Sequence, residues 1–214
     1  AELEFKRGVL FIRPKEAYSL ETFLDKSWLK IDFTKKEELL TLYLLFDAKL
    51  DKDMLNVLKT YKINVPFLQN SGTVKTNLTL EVNLQTIGVD AQGEFLAQKV
   101  NFNYLGLDLD AYDAYVRLDN YDVKIDGMKV AYKNILTSLV DVDYNARTST
   151  GSIVFSVDKV KTPKTNLSLA KSPLKIVYSM SPDKDIINVE KSKWKYAQTE
   201  ISVDPIVAPF DLEK

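Results

Sequence analysis

Histidine and cysteine are both missing from this sequence of 214 residues. Histidine is the usual proton-transfer group near neutral pH and the commonest metal ligand, so Ser-His and Cys-His catalysis are excluded. Without cysteine the chain has no disulfide, zinc knuckle or thiol nucleophile, and cysteine pairing gives no information on the redox compartment. The sequence therefore points away from the common forms of nucleophilic and zinc-dependent catalysis.

Glycine and proline are scarce, with 7 residues of each, against average usage of about 7% and 5%. Few tight turns and few phosphate-binding loops can be built from so small a number. No apolar run approaches the roughly 18 residues of a membrane-spanning helix. Because the sequence starts Ala1-Glu2-Leu3 without a methionine, we expect it to be a processed or excised segment of a longer protein.

Charge is nearly balanced, with 29 Lys and Arg against 30 Asp and Glu and a net charge of -1. No block of basic residues is long enough to follow a phosphate backbone, so nucleic acid is not expected as a partner. Hydrophobic residues make up 45% of the chain, and it contains 11 Tyr, 10 Phe and 2 Trp. This composition is typical of a folded domain and not of a disordered segment.

Alternation with period two is the strongest pattern in the sequence, and it starts near Thr76. Apolar and polar residues interleave there over nine positions, which predicts a half-buried β-strand. The alternation returns in later segments and places an apolar set on one face of each predicted strand. The set comprises Leu78, Leu80, Val82, Leu84, Val100, Phe102, Tyr104, Val116, Leu118, Val123, Ile125, Val140, Val142, Ile153, Phe155 and Val157.

Turn signals separate these segments at Gly88, Gly93, Asp119-Asn120, Asp126-Gly127 and Ser149-Thr150-Gly151. Residues 71–214 therefore predict an antiparallel meander, and no helix there is long enough to connect parallel strands. The fold class is mainly β. An extended sheet must bury its apolar face against a second layer, close into a barrel or hold another molecule, and this choice decides the function.

The first 70 residues predict strands and one or two short helices at one end of the sheet. A strand from Leu40 to Leu50 is apolar on one face and partly apolar on the other. Asp51 then resembles an N-cap for a helix ending at Asn64-Val65-Pro66, with an inward stripe of Met54, Leu55, Leu58 and Tyr61. A shorter helix is predicted from Ser19, with Leu20, Phe23 and Leu24 inward. The whole chain is interpreted as a single unit.

Three acidic clusters have a composition that could bind a metal, but none has the spacing of a metal site. In the most regular one, Asp141, Asp143 and Asn145 start like a calcium loop, but Ala146 replaces the turn glycine and Ser152 replaces the bidentate glutamate. Aspartates at alternate strand positions are better explained as the solvent-exposed face. We therefore predict no metal site, no catalytic residues and no cofactor. The other two clusters are Asp108, Asp110 and Asp113, and Asp119, Asp122 and Asp126.

Four stretches of the sequence carry a resemblance to a known family. Residues Gly93–Gly106, Val116–Asp126, Phe46–Lys59 and Pro209–Leu212 resemble the AsmA-like proteins of Gram-negative bacteria, in particular the YhdP branch. The resemblance covers most of the chain and includes no catalytic signature. It implies a periplasmic protein, attached to the inner membrane by a helix outside this sequence, whose taco-shaped antiparallel sheet encloses an apolar groove.

The family resemblance further implies phospholipid transfer between the inner and outer membranes, in support of outer-membrane integrity. The apolar set given above would then line the groove and contact the acyl chains. About ten strands spaced by about 4.8 Å would give a groove about 50 Å long. Envelope proteins are expected as partners, and the chain is expected not to be an enzyme.

Two alternatives remain at this point. A structural or adaptor domain would fill the same sheet with its own helices or a second sheet, leaving no groove. An enzyme acting on envelope glycans would use two carboxylates from distant strands, but no spacing in the sequence selects such a pair.

Overall fold

The computed structural model describes residues 1–19, 22–49, 52, 55–56, 68–104, 106–162 and 164–210. This part of the chain contains nineteen strands. They are β1 Glu2–Lys6, β2 Val9–Arg13, β3 Tyr18–Ser19, β4 Thr22–Phe23, β5 Trp28–Asp32, β6 Leu39–Ala48, β7 Leu68–Gly72, β8 Val74–Asn83, β9 Val89–Tyr104, β10 Leu107–Asp119, β11 Asp122–Tyr132, β12 Leu136–Asn145, β13 Thr150–Thr162, β14 Leu167–Leu169, β15 Leu174–Met180, β16 Ile186–Val189, β17 Ser192–Tyr196, β18 Thr199–Val203 and β19 Ile206–Pro209.

Seventeen of these strands form one antiparallel sheet. The pairings run β1–β2–β5–β6–β8–β9–β10–β11–β12–β13–β15–β16–β19, so the chain folds as a long meander. Strand β7 lies beside the end of β9, in line with β8. Among the described strands β1 pairs only with β2 and β19 only with β16, so the sheet is open. The predicted mainly β, antiparallel meander is confirmed at this level.

The sheet divides into two branches at β13. Its residues 151–157 pair with β15, while Lys161 and Thr162 pair with β14. One branch continues through β15, β16 and β19, and the other continues through β14, β17 and β18. A bulge between Thr137 and Ser138 in the pairing of β12 with β13 precedes this division. Bulges bend and twist a strand locally, which accounts for the separation of the two branches.

Two of the predicted turns are replaced by continuous strand. Gly93 is within β9, where a Cβ would come within 3.0 Å of the Leu78 side chain and 3.2 Å of the Phe95 ring, so these two side chains fill the missing volume. Gly127 is within β11, at a register shift between Ile125 and Met128, and its φ of +64° suits a bulge. The predictions of turns at Gly93 and at Asp126-Gly127 are therefore wrong.

The alternation of side chains between the two faces of the sheet shifts by one residue in the middle of both β9 and β10. In β10 this shift lies at Asp113, whose φ is +51°. On either side of this point Ala97 faces Ala114 and Val100 faces Ala111. These four residues form a buried cluster against which Val74, Phe102 and Met128 pack. Small side chains allow the paired backbones to bend here without leaving a cavity.

The helix predicted from Ser19 is wrong, because β3 and β4 form a hairpin instead. Tyr18 pairs with Phe23, and their rings are 5.0 Å apart. This aromatic contact between strands outweighs the weak helical spacing of the apolar residues. The helix predicted after Asp51 lies outside the described residues except at Lys52, Leu55 and Asn56. Those three residues are helical, and no other described residue lies in a helix.

Candidate functional site: the apolar face of the sheet

Register and alternation divide the strand residues into two faces. We define the apolar face as the face that carries Leu78, Leu80 and Val82 of β8 together with every residue aligned with them across the sheet. We call the opposite side the polar face, although on β2, β5 and β6 it also carries the aromatic residues Phe11, Trp28 and Tyr43, whose rings contact one another. Residues at the irregular positions Gln98, Asp113 and Asp158 are assigned to neither.

Among the described strand residues no Asp, Glu, Lys or Arg occupies the apolar face, from Leu3 on β1 to Ala208 on β19. At its margin Asp185, immediately before β16, accepts a hydrogen bond from the Tyr178 hydroxyl. The few polar residues of this face are Thr, Ser and Gln, such as Thr76, Ser138 and Gln69. Such a run of thirteen adjacent strands with one uncharged face is the main chemical feature of the molecule. At about 4.8 Å between strands it extends for about 60 Å, and a ten-residue strand is about 33 Å long.

The structure brings the predicted lining residues together on this face. Fifteen of the sixteen lie there, because each is aligned with an apolar neighbour, as Leu118 is with Val123 and Val140 with Phe155. Leu84 is the one predicted residue that does not lie on this face, because it is in the turn that follows β8. The Asn83 side chain accepts hydrogen bonds from the backbone N–H groups of Gln85 and Thr86 there, at 3.0 and 2.9 Å, and so stops the strand.

Sequence reasoning missed the apolar-face residues of the N-terminal and C-terminal strands. Leu3 and Phe5 are exposed there, and Tyr178 of β15 is buried. The alternation of Glu2, Leu3, Glu4, Phe5 and Lys6 was a usable signal for β1. Others that were missed are Leu10, Ile12, Leu29, Ile31, Ile176, Ile187 and Val189.

The apolar face is only partly covered by other described residues. Substantial contacts between described strands join only neighbours within a sheet, apart from a contact of β4 with β6. Leu174 and Tyr178 are the only buried apolar residues larger than valine in the described part. The total accessible surface is 14443 Å², against about 10,000 Å² expected for a compact monomer of this mass. Most large apolar side chains on this face are therefore only half-buried.

The polar face carries hydrogen-bonded ladders of charged and amide side chains. Asn101 Nδ2 donates to Asp110 at 2.9 Å, and Asn103 Nδ2 donates to Asp108 at 2.7 Å. Arg117 forms a short ion pair with Asp126. These exposed contacts add little individually to stability, but they mark this face as the one that suits water.

Two tyrosines illustrate the contrast between the faces. On the polar face the Tyr115 hydroxyl donates to Glu94 at 2.5 Å, and this hydrogen bond to a carboxylate raises the pKa of Tyr115. On the apolar face burial raises the pKa of the Tyr104 phenol. Because both pKa values are raised, both phenols are neutral at neutral pH and neither adds charge to its face.

The described residues contain no group of three or more acidic side chains placed to hold a metal ion. Asp141 accepts a hydrogen bond from the Gly127 N–H at 2.7 Å, and Asn145 accepts one from the Arg147 N–H at 3.0 Å. Those two members of the calcium-like cluster thus hold a bulge and a turn. The described chain also has no helix with the length and hydropathy needed to cross a membrane.

No protein-family model matches this sequence, and comparison with curated proteins and with solved structures gives no significant similarity.

Proposed function

We propose that this protein binds phospholipid acyl chains on its apolar face and passes them along the sheet. The observation that supports this function is the uncharged face of thirteen adjacent strands, whose large apolar side chains are mostly only half-buried among the described residues. An apolar surface of this size exposed to water is unfavourable, and an acyl chain is the simplest ligand that would cover it.

The energetics favour a lipid over a polar ligand. Transfer of each methylene from water to an apolar surface contributes about 0.8 kcal/mol, so two acyl chains gain far more than a single polar contact supplies. The headgroup would stay in water at the ends of the strands. Because no charged residue among the described strand residues interrupts the face, neighbouring positions would differ little in affinity, and the lipid could slide.

Curvature of the sheet would shield the acyl chains from water. Sheets twist by about 20° to 25° per strand, and bulges at Gly127 and between Thr137 and Ser138 bend this sheet further. We propose that it curls around the apolar face into the taco-like groove expected from the sequence. Transfer between the inner and outer membranes, a periplasmic location and an anchor in the inner membrane rest on the resemblance to AsmA-like proteins.

The function predicts that the purified protein carries lipid. Mass spectrometry after mild purification should detect phospholipid, and a delipidated sample should bind a fluorescent fatty acid that phospholipid then displaces. The competing structural or adaptor function, with a filled interior, predicts neither. Protein that comes without lipid and fails to bind the fluorescent fatty acid would eliminate the proposed function.

A further inference from the structure

We propose that a cavity at one margin of the apolar face binds the ammonium group of a phospholipid headgroup, with Asp185 as its anionic partner. The inference rests on the proposed function and deepens it, because it names the class of phospholipid that the face prefers. That class is the phospholipids with a primary ammonium group, such as phosphatidylethanolamine.

The cavity lies where β12 and β15 end and β16 begins. Its volume is about 460 Å³, within the range of about 300 to 1,000 Å³ that is usual for ligand pockets. Two lining residues, Tyr144 and Met180, belong to the apolar face, because both are aligned with Gly151 of β13. Ser181 and Asp185 make part of the wall polar. A lipid whose acyl chains lie along these strands would therefore place its headgroup at the cavity.

Asp185 brings a carboxylate to the margin of the apolar face. It immediately precedes β16, and Ile187, two residues later, is aligned with Tyr178 on that face. The buried Tyr178 donates a hydrogen bond from its hydroxyl to Asp185 Oδ2, and the Ser181 N–H donates to Oδ1 at 3.1 Å. These two hydrogen bonds fix the orientation of the carboxylate at the wall of the cavity.

The carboxylate of Asp185 has no cationic partner among the described residues, because the ion pairs there involve other carboxylates. The adjacent Lys184 is exposed and forms none of those pairs, and the Arg147 guanidinium lies over the Tyr121 ring at 5.4 Å. Two accepted hydrogen bonds also leave acceptor capacity, since a carboxylate has about four lone-pair sites. Asp185 can therefore accept further hydrogen bonds from a cation.

A half-buried carboxylate beside apolar side chains favours a cationic ligand. An ammonium group balances the charge of Asp185 and donates charge-assisted hydrogen bonds to it. The Tyr144 ring in the same wall adds an electron-rich surface that also attracts a cation. The headgroup of phosphatidylglycerol, by contrast, carries only the negative phosphate, which Asp185 would repel. The cavity thus discriminates between two phospholipids that the apolar face alone would bind alike.

Competition between these two phospholipids tests the inference. Delipidated wild-type protein is equilibrated with an equimolar mixture of phosphatidylethanolamine and phosphatidylglycerol with identical acyl chains. Native mass spectrometry of the complexes should show about tenfold more bound phosphatidylethanolamine. This ratio is a test that needs no variant.

Asp185→Asn should bring the ratio of the two bound phospholipids close to one. The amide oxygen can still accept a hydrogen bond from Tyr178, but the negative charge is lost. Asp183→Asn is the matched control, because Asp183 is exposed in the same loop and does not line the cavity. The control should keep the tenfold preference.

Three results would overturn the headgroup inference and leave the proposed function standing. They are equal binding of both phospholipids by the wild-type protein, a preference that survives Asp185→Asn, and a loss of preference in Asp183→Asn as large as in Asp185→Asn. A wild-type protein that carries neither phospholipid would contradict the proposed function and this inference with it.

Discussion

Leu80→Glu is expected to reduce phospholipid binding at least about 100-fold while the protein stays folded. Leu80 lies in the middle of the apolar face, between Leu42 of β6 and Ala91 of β9. In the absence of lipid its half-buried side chain borders water, so a carboxylate there remains hydrated. When acyl chains cover the face, that carboxylate loses its water and finds no basic partner, and the binding free energy falls accordingly.

Thr79→Glu is the matched control for this substitution. Thr79 is the adjacent residue on the same strand, but it lies on the polar face between Tyr43 and Gln92. Displacement of a fluorescent fatty acid by phospholipid should separate the two variants, and thermal melts should confirm that both are folded. Phe102→Asp should behave like Leu80→Glu. Equal affinity of Leu80→Glu and the wild-type protein would argue that lipid does not contact this face.

Gly151→Ala is expected to lower the free energy of unfolding by about 3 kcal/mol. A Cβ at this position would lie 2.2 Å from the Asp143 carbonyl oxygen and 2.7 Å from the Tyr144 Cα. Both atoms belong to the backbone of β12, so β12 and β13 must separate to relieve the contact. The sheet has few buried side chains to compensate for that separation.

Gly106→Ala is the control for the glycine substitution. Gly106 also has a positive φ, +79°, but a Cβ there would meet no atom within 4 Å. Only the backbone conformation is penalised, and we expect a loss of about 1 kcal/mol. Chemical denaturation of the two variants should therefore show a clearly larger effect for Gly151→Ala. Equal effects would contradict the close packing of β12 against β13.

The sequence predicted the central strands well because period-two alternation reflects a physical constraint. Leu78, Leu80 and Val82 lie on one face because successive strand side chains point to opposite sides, and burial then selects their type. The prediction failed where a local interaction changes that period. Asn83 ends β8 one residue before Leu84 by capping the turn, and Gly127 inserts a bulge where the sequence indicated a turn.

Pairing across the sheet was beyond prediction from the sequence. The hairpin of Tyr18 and Phe23 depends on a contact between strands, whereas the helical spacing of Leu20, Phe23 and Leu24 is a property of one segment only. The division of the sheet at β13 likewise depends on which strands meet its two ends. The proposal that lipid covers the apolar face rests on chemistry. Neither the periodicity of the sequence nor the register of the strands identifies a ligand.

Photo-crosslinking from single positions tests the central claim most directly. A photoreactive phenylalanine analogue placed at Leu80 or Phe102, on the apolar face, should form adducts with phospholipid in living cells, detected by mass spectrometry of the intact protein. The same analogue at Thr79 or Asn101, on the polar face, should form none. Lipid adducts at all four positions alike, or at none of them, would contradict an apolar face that holds acyl chains.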